Sequence, residues 1–282
     1  NASMKSVHSI SILGCGWLGL PLAERLIEYG FTVKGSVTKE EKLILLKEKK
    51  ILPFQLELTD VAVNGTKKEE FFNSDLLIIN IPPGRRTDVI TYHTAQIRQL
   101  ITELKGSSIR YVLFISSSAV YPDLNKEVFE TEKVEPFKES GKALLQAEQL
   151  IRAQPEFKST IIRFGGLIGP KRHPGKFLAG KKNVANGDAP VNVIHLDDCI
   201  ELICGVIQQQ AWGEIFNASA DVHPSRKVFY TRAAEQLALE APSFATAEVT
   251  YKILNSEKIK KRLGYFFKYP DPLSTLNHLI ET

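Results

Sequence analysis

The sequence predicts a doubly wound parallel α/β sheet followed by a small C-terminal lobe. Three observations carry that expectation. Apolar runs of strand length alternate with segments of helical apolar spacing through the first two-thirds of the chain. Strands that are apolar throughout need helices on both faces of their sheet, which is the arrangement that βαβ crossovers build. A Gly-x-Gly-x-x-Gly run, Gly14-Cys15-Gly16-Trp17-Leu18-Gly19, joins the first such strand to the first helix. After about Gly165 the alternation gives way to a long loop rich in glycine, proline and lysine.

The elements follow in order. Residues 9–13 read as the first strand, with Ile10, Ile12 and Leu13 buried. Leu18, Leu22, Leu26 and Ile27 then form one apolar helix face. Pro21 lies early in that helix, where its missing N–H costs little, and Gly30 ends it. Residues 31–37, 51–56, 75–80, 110–115 and 159–164 read as the next strands, with helices over 89–104 and 142–151 between them. The loop of residues 165–192 comes next. A short strand and helix follow at 193–208, a strand at 214–217, and helices at 225–239 and 256–263. This divides the chain into a dinucleotide-type core at 4–165 and a lobe at 166–282, the lobe interleaved with the core around 193–217. Asn1-Ala2-Ser3 ahead of Met4 reads as a cloning remnant.

Composition narrows the function classes. Apolar residues at 43% and charged residues at 24% are ordinary for a water-soluble globular protein. A net charge of +4, from 36 basic and 32 acidic residues, predicts neither nucleic-acid nor membrane binding. Lys47, Lys49 and Lys50 are interrupted by Glu48 and read as a solvated helix face. No apolar stretch has bilayer length, and no signal-peptide pattern is present. Cys15, Cys199 and Cys204 lack metal-ligand spacing, so no metal site is expected, and a reduced cytoplasmic setting fits. Cys15 is expected to fill a small space inside the glycine loop.

The glycine loop carries the main chemical reading. Gly14 permits a tight turn, Gly16 lets a pyrophosphate approach the backbone, and Gly19 lets helix pack on strand. With Trp17 and Leu18 they open a helix whose first N–H groups would hold phosphates. At the end of the second strand, Gly35-Ser36-Val37-Thr38-Lys39 lacks the carboxylate that receives a ribose 2′-hydroxyl, since Glu40 and Glu41 come too late. Thr38 and Lys39 would instead hold a 2′-phosphate, so NADP is preferred over NAD. Pro82 and Pro83 would border the cofactor with their backbone. The basic loop residues Arg172 and Lys176 would bind an acidic substrate if they are not simply solvated, and Arg85 and Arg86 pose the same question.

Four segments in the same order resemble the extended short-chain dehydrogenase/reductase superfamily, its NAD(P)-dependent epimerase/dehydratase group. They are the glycine loop; Phe114-Ile115-Ser116-Ser117-Ser118-Ala119-Val120-Tyr121; Ile162-Arg163-Phe164-Gly165-Gly166-Leu167-Ile168-Gly169-Pro170; and Val193-Ile194-His195-Leu196-Asp197-Asp198. The resemblance implies a Rossmann core and a catalytic Ser, Tyr and Lys, with Ser117 as the serine and Ser118 beside the substrate. It also places a Tyr and a Lys on the next helix, ahead of Ala147-Glu148. Those positions hold Ser140 and Leu144. A serine hydroxyl titrates far above a phenol and leucine carries no charge, so neither replaces the pair. Lys142 is two residues away and faces elsewhere on a helix.

The chain therefore resembles an atypical branch. Tyr121 is either a replacement proton donor or a packing and substrate-contact residue. Tyr92 on the preceding helix is either packed in the core or faces the same ligand. His195 reads as a hydrogen-bonded structural residue rather than a base, and Asp198 as a group that starts the next helix or orients His195. Two functions stay open. One is an NAD(P)-dependent oxidoreductase or epimerase-like enzyme acting on a small hydroxyl, carbonyl or sugar-derived compound, with Ser117 and Tyr121 at the reacting oxygen. The other is a non-catalytic dinucleotide sensor that lost the Tyr/Lys pair. A monomer or homodimer with a small-molecule ligand is expected in either case.

Overall fold

The computed structural model describes residues 6–280; the residues read as a cloning remnant lie outside that range. In chain order the first elements are β1 (Ser9–Leu13), α1 (Gly19–Glu28), β2 (Thr32–Val37), α2 (Leu43–Glu48), β3 (Leu52–Gln55), β4 (Glu57–Leu58), β5 (Val63–Asn64), α3 (Lys68–Phe71), β6 (Leu76–Ile79), α4 (Val89–Leu104) and β7 (Tyr111–Ser117). Then come β8 (Lys126–Val128), α5 (Glu139–Arg152), β9 (Lys158–Phe164), β10 (Gly166–Ile168), β11 (Val193–His195) and α6 (Leu196–Gln208). The last are β12 (Ile215–Ala218), α7 (Arg226–Gln236), β13 (Lys252–Leu254), α8 (Glu257–Leu263) and α9 (Pro272–Leu276).

Seven strands form one sheet in the order β12-β9-β7-β6-β1-β2-β3. The pairs β2–β3, β1–β2, β1–β6 and β6–β7 are parallel. This is the doubly wound class. Leu76, Leu77, Ile78 and Ile79 of β6 are all fully buried, in keeping with its interior place in the sheet with both faces covered. Leu22, Ala23 and Leu26 give α1 its buried face. Each of the two leucines contributes about 1.5–3 kcal/mol by leaving water. Gly30, at φ +96°, ends the helix in a left-handed turn that closes on Leu26 through the Phe31 amide at 3.1 Å. Ser11 is a buried hydroxyl in β1, satisfied by the Phe71 carbonyl at 2.6 Å and Ser74 Oγ at 2.7 Å.

The chain divides into two compact units. The first holds the stretch up to Val120, Pro136–Ile162 and Ile203–Ile215. The second holds Tyr121–Glu135, Arg163–Leu202 and the chain from Phe216 on, so the boundary falls inside β9, α6 and β12. This differs from the sequence division in assigning Tyr121–Glu135 to the second unit. The reason is a parallel pair between β8 and β13, with Lys126 opposite Lys252 and Val128 opposite Leu254. Asn125 reinforces it: its amide donates to the Tyr251 carbonyl at 2.8 Å, and its side chain accepts from the Tyr251 amide at 2.9 Å. The region read as one loop, 165–192, also contains β10, which pairs in parallel with β11. A three-residue strand shows no periodicity, so only its partner reveals it.

Candidate functional site

In the first unit the glycine loop is held from two neighbouring strands. Ser36 of β2 is buried, and its Oγ accepts from the Gly14 amide at 2.9 Å while its carbonyl accepts from the Cys15 amide at 2.8 Å. From β6, the Asn80 side chain donates to the Gly14 carbonyl at 3.0 Å. Neither residue stands out in the sequence, because each acts on the loop from more than twenty residues away. Gly14 has φ +100°, and a Cβ there would lie 2.5 Å from the Asn80 carbonyl oxygen. A Cβ on Gly19 would lie 2.2 Å from the Gly14 carbonyl oxygen. These two glycines are required by the chain itself.

Gly16 differs from both. A Cβ on it would meet nothing within 4 Å. Its glycine identity leaves open space directly ahead of α1; the Leu20 amide there donates to the Gly16 carbonyl at 3.0 Å, the Leu22 amide to the Leu18 carbonyl at 3.1 Å, and Pro21 has no N–H, so the Leu18 and Gly19 amides are the ones at hand for a phosphate. Leu18 is buried and Trp17 half-buried. Cys15 packs where a Cβ on Gly35 would come within 2.6 Å of its sulfur, and burial pushes its thiol up to about 12. It fills space and carries no thiolate chemistry. Thr38 and Lys39 leave β2 exposed, and the Thr38 carbonyl accepts from Gln55 Nε2 at 3.1 Å. Pro82 is exposed and Pro83 half-buried in the segment after Asn80.

Ser117 ends β7 half-buried, and its Oγ accepts from the Ala119 amide at 3.1 Å. That contact uses a lone pair and leaves the hydroxyl proton to donate. Ser118 begins the 3-10 turn of Ser118–Val120. The start of α5 lies against this turn, since a Cβ on Gly141 would come within 2.1 Å of the Ala119 carbonyl oxygen. Further along, buried Ser116 donates to buried Glu148 at 2.6 Å. These contacts fix α5 against the end of β7. Ser140 there is half-buried and Leu144 buried. Lys142 is exposed and paired with Glu139 at 3.2 Å. Tyr92 is half-buried beneath the Arg86 guanidinium, 3.9 Å from its ring centre.

The second unit holds Tyr121, and there the hydroxyl is already engaged. It accepts from Arg163 Nη1 at 2.9 Å and donates to Asn217 Oδ1 at 2.7 Å, all three residues being buried. The Lys252 ammonium donates to the Tyr121 carbonyl at 2.7 Å. Burial raises the phenol above its ordinary range against the opposing pull of Arg163 and Asn217. Tyr121→Phe is accordingly expected to cost about 1–3 kcal/mol of stability, because a buried guanidinium and amide lose their shared partner. Urea denaturation measures this. Unchanged stability together with a fall in turnover of roughly 100-fold would make the tyrosine the proton donor instead.

His195 is buried and packs against Tyr269 with ring centres 4.1 Å apart and the rings tilted by 33°, and its Nδ1 accepts from the Asp197 amide at 2.9 Å. Asp198 lies in the first turn of α6, as expected of a group that starts that helix, and it has a further part. It is fully buried and accepts from Tyr265 Oη at 2.5 Å, the Lys268 amide at 2.8 Å and the Tyr269 amide at 3.1 Å. It fastens a segment some seventy residues away rather than orienting His195. Arg172 and Lys176 are exposed; Lys176 closes the short turn of Pro174–Lys176, whose entry is capped by His173 Nδ1 accepting from the Gly175 amide at 2.9 Å. Among the described residues no group of His, Cys, Asp and Glu is placed to hold a metal ion, and no helix is long and apolar enough to cross a membrane.

The profile of the NAD dependent epimerase/dehydratase family matches residues 83–219. Protein YeeZ of Escherichia coli K12 is 33% identical over 270 residues, covering 95% of this chain and 98% of YeeZ. The chain belongs to the NAD dependent epimerase/dehydratase family. Solved structures agree on the fold of this family member. A short-chain dehydrogenase/reductase superfamily protein from Agrobacterium tumefaciens, with bound NAD, superposes with TM-score 0.78 at 16% identity, over 96% of this chain and 95% of that one. UDP-glucose 4-epimerase from Thermotoga maritima, with UDP-glucose, superposes with TM-score 0.72 at 17% identity, over 92% and 94%. At these identities the likeness is one of fold.

Proposed function

We propose that this epimerase/dehydratase-family protein is an NAD(P)-dependent, NADP-preferring enzyme of oxidoreductase or epimerase type. Its substrate is a small hydroxyl or carbonyl compound, sugar-derived compounds included, and it works in the cytoplasm as a monomer or homodimer without nucleic acid. The observation that carries the reading is Gly16, a glycine that no internal contact requires, at the mouth of a helix, between two glycines that the chain does require. NAD(P) bound there would supply hydride exchange. Gly14, Gly16, Trp17, Leu18 and Gly19 would line the pyrophosphate, Pro82 and Pro83 would border it, and Thr38 and Lys39 would receive the 2′-phosphate. Ser117 would orient the substrate oxygen through its free proton, with Ser118 next to it. Arg172 and Lys176 would serve an acidic substrate.

A second reading, the non-catalytic dinucleotide sensor, is favoured by a specific observation. The positions that the resemblance assigns to the family's Tyr and Lys hold a half-buried serine, Ser140, and a buried leucine, Leu144. The Tyr121 hydroxyl is spoken for by Arg163 and Asn217. Titration calorimetry with NADP+ and NAD+ tests the shared part of both readings. NADP+ is expected to bind more tightly by about 10–100-fold, the scale of a charge-assisted contact to its extra phosphate. Binding of neither would remove both readings. Turnover on a panel of alcohols and carbonyl compounds then separates enzyme from sensor.

A further inference from the structure

The segment from Ile81 to Asp88 carries, beyond Pro82 and Pro83, side-chain chemistry that the dinucleotide reading does not use. It leaves β6 at Asn80, whose side chain grips the Gly14 carbonyl, and it leads into α4. Gly84, at φ +82°, turns the chain. Arg86 is then fixed from two sides. Its Nε and Nη2 donate to the two Asp88 carboxylate oxygens at 2.8 and 3.1 Å, and its guanidinium lies 3.9 Å from the Tyr92 ring centre. An exposed ion pair of this kind adds little stability. Fork and stack together nonetheless hold the turn in one conformation, and Asp88 compensates the Arg86 charge. Arg85 is exposed, and among the described residues no carboxylate or ring is paired with it. The braced turn thus presents one uncompensated guanidinium.

The sheet order says which part of a ligand this charge would meet. Along the edge, the exit of β2 carries Thr38 and Lys39, that of β1 the glycine loop, that of β6 this turn, and that of β7 Ser117. Strands lie about 4.8 Å apart, so the root of the turn is about 10 Å from the β2 exit and a single strand spacing from that of β7. It stands past the phosphate cradle, toward the end where Ser117 would meet the reacting oxygen.

We propose that Arg85 recognises an anionic group of the substrate, a carboxylate or a phosphate carried close to its reacting carbon. A guanidinium binds either oxyanion through paired N–H donors. The proposal leans on the dinucleotide reading only for which end of the edge is the reacting one. Inorganic phosphate and malonate, each titrated calorimetrically into the full chain with saturating NADP+, test it. At least one should bind, and R85A should weaken that binding by about 10–100-fold, with R85K intermediate. NADP+ affinity should stay within about threefold and the thermal midpoint should not move, because the side chain is exposed. A preference for phosphate or for malonate assigns the kind of anion. The proposal is overturned if neither anion binds the parent protein, if R85A binds both as the parent does, or if R85A weakens NADP+ as much as the anion, which would give the guanidinium to the cofactor. If neither dinucleotide binds while phosphate or malonate still depends on Arg85, the anion site stands and the dinucleotide reading falls.

Discussion

Gly16→Val is expected to leave the folded chain as stable as the parent and to weaken NADP+ binding by roughly 100-fold or more. The reasoning rests on what surrounds the residue. A Cβ at position 16 meets nothing within 4 Å, so the protein accepts the larger side chain without repacking. The same side chain would stand between a pyrophosphate and the Leu18 and Gly19 amides at the entry to α1. Gly19→Ala provides the contrast. Its Cβ would be driven to 2.2 Å from the Gly14 carbonyl oxygen, a backbone atom that Asn80 holds in place. That substitution should cost about 3 kcal/mol or more, because neither strand nor helix can retreat. Calorimetric titration and urea denaturation on both variants separate the two roles. A Gly16→Val protein that binds NADP+ like the parent would show that position 16 does not face the dinucleotide.

Asp198→Ala should produce the largest loss of stability in the second unit, about 2–4 kcal/mol. Its carboxylate ends three donors at once: the Tyr265 hydroxyl and the amides of Lys268 and Tyr269. Burial raises the Asp198 carboxyl above the usual carboxylate range in spite of those three donors, so keeping the charge buried is itself costly. Alanine relieves that cost but strands the donors, and the second effect is larger because two of them are backbone amides. Asp198→Asn keeps one acceptor oxygen and should lose about half as much. The same denaturation experiment reads both variants. A loss below about 1 kcal/mol for the alanine variant would mean that burial of Phe267 alone holds this segment.

Much of the first unit was legible from the sequence because its signals are local. The strand, glycine turn and helix of residues 9–28 lie within one stretch, and the periodicity of Ile10, Ile12, Leu22 and Leu26 states which faces are buried before any partner is known. The identity of the residues at 140 and 144 was equally plain. So was the lack of a carboxylate before Glu40, since a missing functional group needs no structure to be noticed.

Tertiary structure alone decided which polar groups meet. Tyr121 and Asn217 are 96 residues apart, Asp198 and Tyr265 67 apart, and Gly14 and Asn80 66 apart. A hydroxyl or carboxylate carries no mark of the partner it will find. Apolar burial is a property each residue brings with it, whereas a hydrogen bond is a property of two positions. The pairing is set by which strands and turns the packed core brings within 3 Å of each other. For that reason the sequence by itself determined the α/β class, the glycine loop, and a serine and a leucine at positions 140 and 144. The arrangement of chain ends decided that Tyr121 is tied to Arg163 and Asn217, that Asp198 fastens the segment at 265–269, and that Gly16, alone of the three loop glycines, has open space beside it.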